Sequence, residues 1–136
     1  MASTVPFKLI TPTKVVFEGD AELVIATTTE GEEGILPRHA PFLAGLKPGV
    51  LRANVVESGS AKRLELATGE GFMQALPDRV TVLVDQALNF DDIDVAASRE
   101  ELAAASERQK TTTGDAYTRE QAIIDFASAK LRVTGH

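Results

Sequence analysis

The chain has 136 residues, 43% of them hydrophobic and 25% charged; this fits one folded domain, or a domain with a small appendage, and excludes wholesale disorder. A formal net charge of -6, with no basic cluster longer than Lys62-Arg63, excludes a nucleic-acid partner, which needs a cationic face to displace counterions. The absence of cysteine excludes disulfides and thiolate metal sites, and no apolar run approaches the length of a membrane span. Met1 to Thr4 has neither the basic nor the apolar region of a leader. The expectation is therefore a soluble, unprocessed chain whose association with a membrane, if any, is indirect, through a protein partner.

In chain order, Val5 to Ile10 reads as a strand, and Pro6 within it suggests a sheet edge. After a Thr-Pro-Thr turn come Val15 to Gly19 and the β-branched run Glu22 to Thr27. Lys47-Pro48-Gly49 is a turn into the strand Val50 to Val56, and Glu57 to Ser60 reads as a hairpin turn into Lys62 to Ala67. Phe72 to Leu76 and Val80 to Val84 follow. Val80, Val82 and Val84 share a face at period two, while Leu83 makes the opposite face partly apolar. Short strands at regular spacing, separated by Gly and Pro turns, predict a sandwich or barrel.

The pattern changes near residue 90. Asp91, Asp92 and Asp94 form an acidic start that suits the positive end of a helix dipole. Val95 to Lys110 contains no Gly or Pro and closes with Arg108 and Lys110, the favoured charge at a helix C-terminus. Thr111 to Asp115 breaks it. A second helix, capped by Thr118 or Asp115, runs to Val133 with the stripe Ala122, Phe126, Ala129 and Val133, widened by Ile123, Ala127 and Leu131. Alanine dominates the apolar positions of the first helix, so it buries little area per residue. The expected fold is α+β: an antiparallel β-sandwich over residues 1–88, then an antiparallel two-helix hairpin over residues 89–136, loosely attached and able to move.

Candidate chemistry is sparse. Gly69-Glu70-Gly71 is a fragment of a phosphate loop, with Gln74 where the next glycine is needed, and reads as a turn. Asp91, Asp92 and Asp94 lack the glycine and closing glutamate of a calcium loop, and the two histidines, His39 and His136, are far apart, so no metal site is expected. No serine sits in a nucleophile elbow, and His39, boxed by Pro37 and Pro41, has no evident nucleophile beside it. The stretch Gly31 to Pro41 is unusual for its shape. Two prolines stiffen it, Ile35, Leu36, Phe42 and Leu43 bring apolar area, and Glu32 and Glu33 point to different sides if extended. A stiff, partly apolar protrusion loses little entropy on binding, which suits a docking surface.

These residues carry a resemblance. Gly34-Ile35-Leu36-Pro37-Arg38-His39-Ala40-Pro41, followed by Leu46-Lys47-Pro48-Gly49, is similar to the signature of the ε subunit of F-type ATP synthases, called δ in mitochondria. Residues 69–87 resemble the second block of that family, and Ala129 to Val133 its second helix, so the likeness runs from Phe7 to Val133.

The resemblance implies a sandwich of about ten strands with a two-helix hairpin, in a non-catalytic rotor subunit of the central stalk. Its implied place is peripheral, on the cytoplasmic face of the bacterial inner membrane, where it would join the γ subunit to the c-ring so that proton-driven rotation powers ATP synthesis. Carried over residue by residue, the c-ring interface would comprise Glu30, Glu33, Gly34, Ile35, Pro37, Arg38 and His39.

The alternative implied role is regulatory, with the hairpin inhibiting ATP hydrolysis or sensing ATP. An extended hairpin would offer Arg108, Lys110, Arg119, Lys130 and Arg132 to the α/β catalytic head. Yet acidic residues outnumber basic ones from Asp91 to His136. Of the family's nucleotide motif only Asp94 is kept, because Ala97 stands where arginine is expected. No cofactor is expected.

Overall fold

The computed structural model describes residues 3–136. Nine strands come first: β1 (Val5–Thr11), β2 (Lys14–Thr28), β3 (Gly31–Ile35), β4 (Phe42–Leu46), β5 (Gly49–Glu57), β6 (Ser60–Thr68), β7 (Gly71–Leu76), β8 (Arg79–Val84) and β9 (Ala87–Leu88). A 3-10 turn, Phe90–Asp92, leads into helices α1 (Val95–Gln109) and α2 (Gly114–Val133).

The strands pair in the order β1-β8-β7-β4-β2-β5-β6-β9, with β3 on β2 and a further pairing of β1 with β2. Because β2 meets β1 through its first half and β4 at Thr28, strands β1, β8, β7, β4 and β2 close a ring. Strands β5, β6 and β9 extend from β2. Inward side chains of the whole array, among them Phe7, Leu9, Val24, Leu51, Val55, Met73, Val80 and Val82, meet in one core cluster. The period-two alternation of β1, β7 and β8 is what delivers them there.

Several expectations need correction. Two separate strands were expected between Val15 and Thr27, but Lys14–Thr28 is one strand of 15 residues, with a register shift between Ala21 and Leu23 that lets it bend around Glu22. Conversely β3 and β4 were not expected as strands, because glycine, acids and prolines mask their alternation. The sheet is not wholly antiparallel either: β1 and β8 pair in parallel from Phe7↔Val80 to Ile10↔Leu83. Strands so far apart in the chain have room for the long crossover a parallel pair needs. That pairing also removes β1 from the edge. Pro6 is tolerated because the β8 ladder begins one residue after it.

The helices form an antiparallel pair. Asp94 caps α1, its Oδ1 accepting from Ala97 N at 3.0 Å. The N-cap of α2 is Thr113, not Thr118 or Asp115; Thr118 lies one turn inside, its hydroxyl donating to Gly114 O at 3.3 Å. Small residues, Ser98 and Ala105 of α1 and Ala127 of α2, are buried.

The hairpin is folded against the sandwich through α2. There Ala129 joins Val50 and Ala67, flanked by Ile93, Phe126 and Val133. This seam holds three buried residues against seventeen in the main core, so its apolar contribution is shallow.

Candidate functional site

The stretch singled out by the sequence resolves into a hairpin and a turn. Thr28 Oγ1 accepts from Glu30 N at 3.1 Å and donates to Gly31 O at 2.6 Å. Gly31, at φ 117, takes a conformation that a side chain would strain. These contacts close a tight turn between β2 and β3 and leave Glu30 exposed at its tip.

Along β3, Glu32 faces Thr27 and Glu33 faces Ala26, so the two acids do lie on opposite faces. Glu32 is ion-paired: Arg52 Nη2 donates to its Oε2 at 2.7 Å. Neither Glu30 nor Glu33 enters an ion pair among the described residues.

Gly34 faces Ile25. A Cβ there would come no closer than 3.6 Å to Leu23 Cδ1, an ordinary contact, and the backbone does not sit at positive φ. The fold itself therefore does not require glycine at position 34. A bare strand position is where another chain can approach closely.

Ile35 must be withdrawn as a surface residue. It is 0% exposed and packs in the core opposite Val24, because the alternation that turns Gly34 outward turns Ile35 inward. Phe42 likewise packs against the core, which leaves Leu36 and Leu43 as the exposed apolar side chains of this region.

Leu36 to His39 forms a turn, with His39 N donating to Leu36 O at 3.2 Å. Pro37 sets the second position and Arg38 occupies the third at φ 65. His39 Nδ1 donates to Ala40 O at 2.7 Å, and its ring stands edge-on to Phe42 at 5.9 Å. The histidine is thus held by backbone and ring contacts, with no hydroxyl among its hydrogen-bond partners. Among the described residues no group of three or more His, Cys, Asp or Glu side chains is placed to hold a metal.

The basic residues of the hairpin divide. Arg108 Nε donates to both oxygens of Glu120, at 3.1 and 3.0 Å, and Lys110 Nζ to Glu107 at 3.1 Å. Arg119 and Arg132 are exposed. Lys130 is only 7% exposed; its ammonium binds Glu101 Oε1 and Oε2 at 3.0 and 3.2 Å and lies 4.9 Å from the Phe126 ring centre. Lys130 cannot reach a partner in this conformation, because it ties α2 to α1. Asp94 is occupied as a helix cap, as described above.

A second surface was only hinted at in the sequence, by Leu83. Strand register places Gly45 opposite Phe72, Phe72 opposite Leu83, Leu83 beside Ile10, and Ile10 opposite Val15. These residues form one row across five strands on the outer side of the ring. Phe72 is 61% exposed, Val15 49% and Leu83 47%. Exposed apolar side chains aligned across neighbouring strands make this row a candidate interaction surface. No single strand carries enough of the row to reveal it; only the pairing assembles it.

Among the described residues no helix is long and apolar enough to cross a membrane.

Comparison with known proteins fits this arrangement. A family model for the β-sandwich domain of the ATP synthase delta/epsilon chain matches residues 4–90. The ATP synthase epsilon chain of Xanthomonas campestris pv. campestris is 39% identical over 131 residues, covering 96% of this chain and 91% of that one. The epsilon chain of Chromobacterium violaceum is 36% identical over 126 residues, covering 92% and 89%. The fold is similar to a chain in the mitochondrial ATP synthase of Euglena gracilis (OSCP/F1/c-ring), with a TM-score of 0.80 at 18% identity, covering 98% of this chain and 82% of that one. A chain of the Tetrahymena thermophila central stalk and c-ring matches with a TM-score of 0.60 at 16% identity. The chain belongs to the family of ATP synthase epsilon chains, subunits of an enzyme complex.

Proposed function

We propose that this subunit is a non-catalytic mechanical joint of the rotor, coupling the γ subunit to the c-ring at the cytoplasmic face of the bacterial inner membrane. One observation carries the reading: the rigid sandwich presents two different surfaces at once. At one, the edge of the β2–β3 hairpin, Glu30 at the turn tip and Glu33 carry unpaired carboxylates, Gly34 leaves the opposite face of the strand bare, and Pro37, Arg38 and His39 stand in the adjoining turn. This surface suits the polar, cationic loops of a c-ring, where a carboxylate makes a charge-assisted contact. The other is the apolar row Phe72, Leu83, Ile10 and Val15, which suits the γ subunit. A transmitter of torque needs two docking faces on one stiff body, and the shared core beneath them supplies the stiffness. Ile35 takes part only as the core residue that anchors β3.

No nucleotide cofactor is assigned, since Asp94 is engaged as a cap and Ala97 offers no cation. A brake acting through Lys130 finds no support in a buried, paired ammonium.

The test separates the two faces. Phe72→Asp should abolish co-elution with γ on size exclusion while leaving the circular dichroism spectrum intact. Glu33→Arg should leave γ binding intact and lower ATP-driven proton pumping by the assembled complex. Undiminished γ binding by Phe72→Asp refutes the assignment of the apolar row, and undiminished pumping by Glu33→Arg refutes that of the acidic edge.

A further inference from the structure

Three acids crowd the β2–β3 hairpin, and the structure separates their roles. Glu32 is the one already engaged, and its partner does not lie on a neighbouring strand. Arg52 belongs to β5, Glu32 to β3, and β2 runs between them: Arg52 faces Ile25, Ile25 faces Gly34, and Glu32 lies two residues along from Gly34 on the same face. The arginine therefore reaches diagonally across the central strand.

At 2.7 Å it makes the shortest ion pair among the described residues. The cross-strand pair Lys8–Glu18 is at 3.8 Å and Arg63–Glu65, within a single strand, is at 3.7 Å. Arg52 is also embedded. Its side chain lines a small cavity with Leu23, Ile25, Asn54 and Arg63, and its Nε is buried without a hydrogen-bond partner. Such a group is desolvated at a cost, so the stem and Nε are packed in place while the end of the guanidinium, on a side chain 31% exposed, reaches Glu32 at the surface.

Strand β3 needs this hold. It has five residues, two of them glycine, and pairs with β2 alone. Ile35 anchors one end in the core, but Gly31 and Glu32 at the other end are exposed. Beyond the backbone ladder, that end is tied by Thr28 Oγ1, which donates to Gly31 O at 2.6 Å, and by the Arg52 contact, the one that holds a β3 side chain.

We infer that Arg52 is a positioning residue: it clamps Glu32, and through it the free half of β3, so that Glu33 and Glu30 are held in place as the acids offered to a cationic loop. The role of Glu33 and Glu30 rests on the docking reading proposed above; the clamp itself rests on geometry alone. The consequence is specific. Glu32 contributes no free charge to the interface, although it lies beside the residue that does.

A charge swap in the full-length subunit, within the assembled complex, tests this. Arg52→Glu and Glu32→Arg singly should each speed hydrogen exchange of the β3 amides by about fivefold, the scale of losing a partly exposed pair, and lower ATP-driven proton pumping relative to ATP hydrolysis. The double variant Arg52→Glu/Glu32→Arg should restore both, and Arg52→Lys should restore exchange in part. Pumping as poor in the swap as in Glu32→Arg alone would mean that Glu32 itself touches the partner, and would overturn the inference. Unaltered β3 exchange in the single variants would overturn it as well. Exchange that speeds up in the single variants and recovers in the swap while pumping never changes would uphold the clamp and remove the docking reading instead.

Discussion

Glu101→Ala should destabilise the helical hairpin more than its exposed position suggests. Lys130 is 7% exposed, and its ammonium touches both Glu101 oxygens at 3.0 and 3.2 Å. Removing the carboxylate leaves a positive charge in a nearly dry site with only the Phe126 ring beside it. Breaking a fully buried pair costs about 3–5 kcal/mol, whereas an exposed pair contributes about 0–1 kcal/mol. The Glu101 side chain is 48% exposed, so water can enter where it stood, and the expected cost is about 2 kcal/mol. At about 3 °C per kcal/mol for a chain of this size, the helical circular dichroism signal should melt about 6 °C lower. Lys130→Met keeps the stem and removes the charge, so it should cost less than about 1 kcal/mol. If Glu101→Ala melts with the parent protein, or if Lys130→Met falls as far as Glu101→Ala, the ammonium is not held by Glu101 as reasoned.

Other outcomes follow from the same packing. Gly34→Ala should leave thermal stability unchanged or raise it by about 0.5 kcal/mol, since the site takes a methyl without strain, yet weaken association with the c-ring in a pull-down. Ala129→Leu should overfill the seam against Val50 and Ala67 at about 1–3 kcal/mol, speeding hydrogen exchange in α2 while β5 and β8 stay protected. Asp94→Ala should remove about 1 kcal/mol from α1, seen as a lower melting temperature of the helical signal.

Much of this fold could be read from the sequence because alternation and caps are local signals. Val80, Val82 and Val84 announced their face, and the helix boundaries fell close to where charge and glycine placed them. What escaped is set by pairing between distant segments. The parallel β1–β8 ladder leaves no mark in either strand. The apolar row from Phe72 to Val15 exists only once five strands are in register. Ile35 was misplaced because its motif reads as a loop, and a residue in a loop has no assigned face; once Gly31–Ile35 is a strand, its parity decides the matter. Arg52 offered no signal at all, since nothing local links it to a glutamate 20 residues earlier.

The parallel pairing of β1 with β8 also bears on how the chain matures. The first strand cannot complete its ladder until Arg79–Val84 has left the ribosome, so the N-terminal segment waits through most of translation with one side unmatched. Closing so long a loop is slow compared with forming the helical hairpin, whose contacts are near in sequence. Closure of the β1–β8 ladder is therefore the expected rate-setting step of folding, whereas the seam with α2 rests on the local β5–β6 hairpin and does not wait for it.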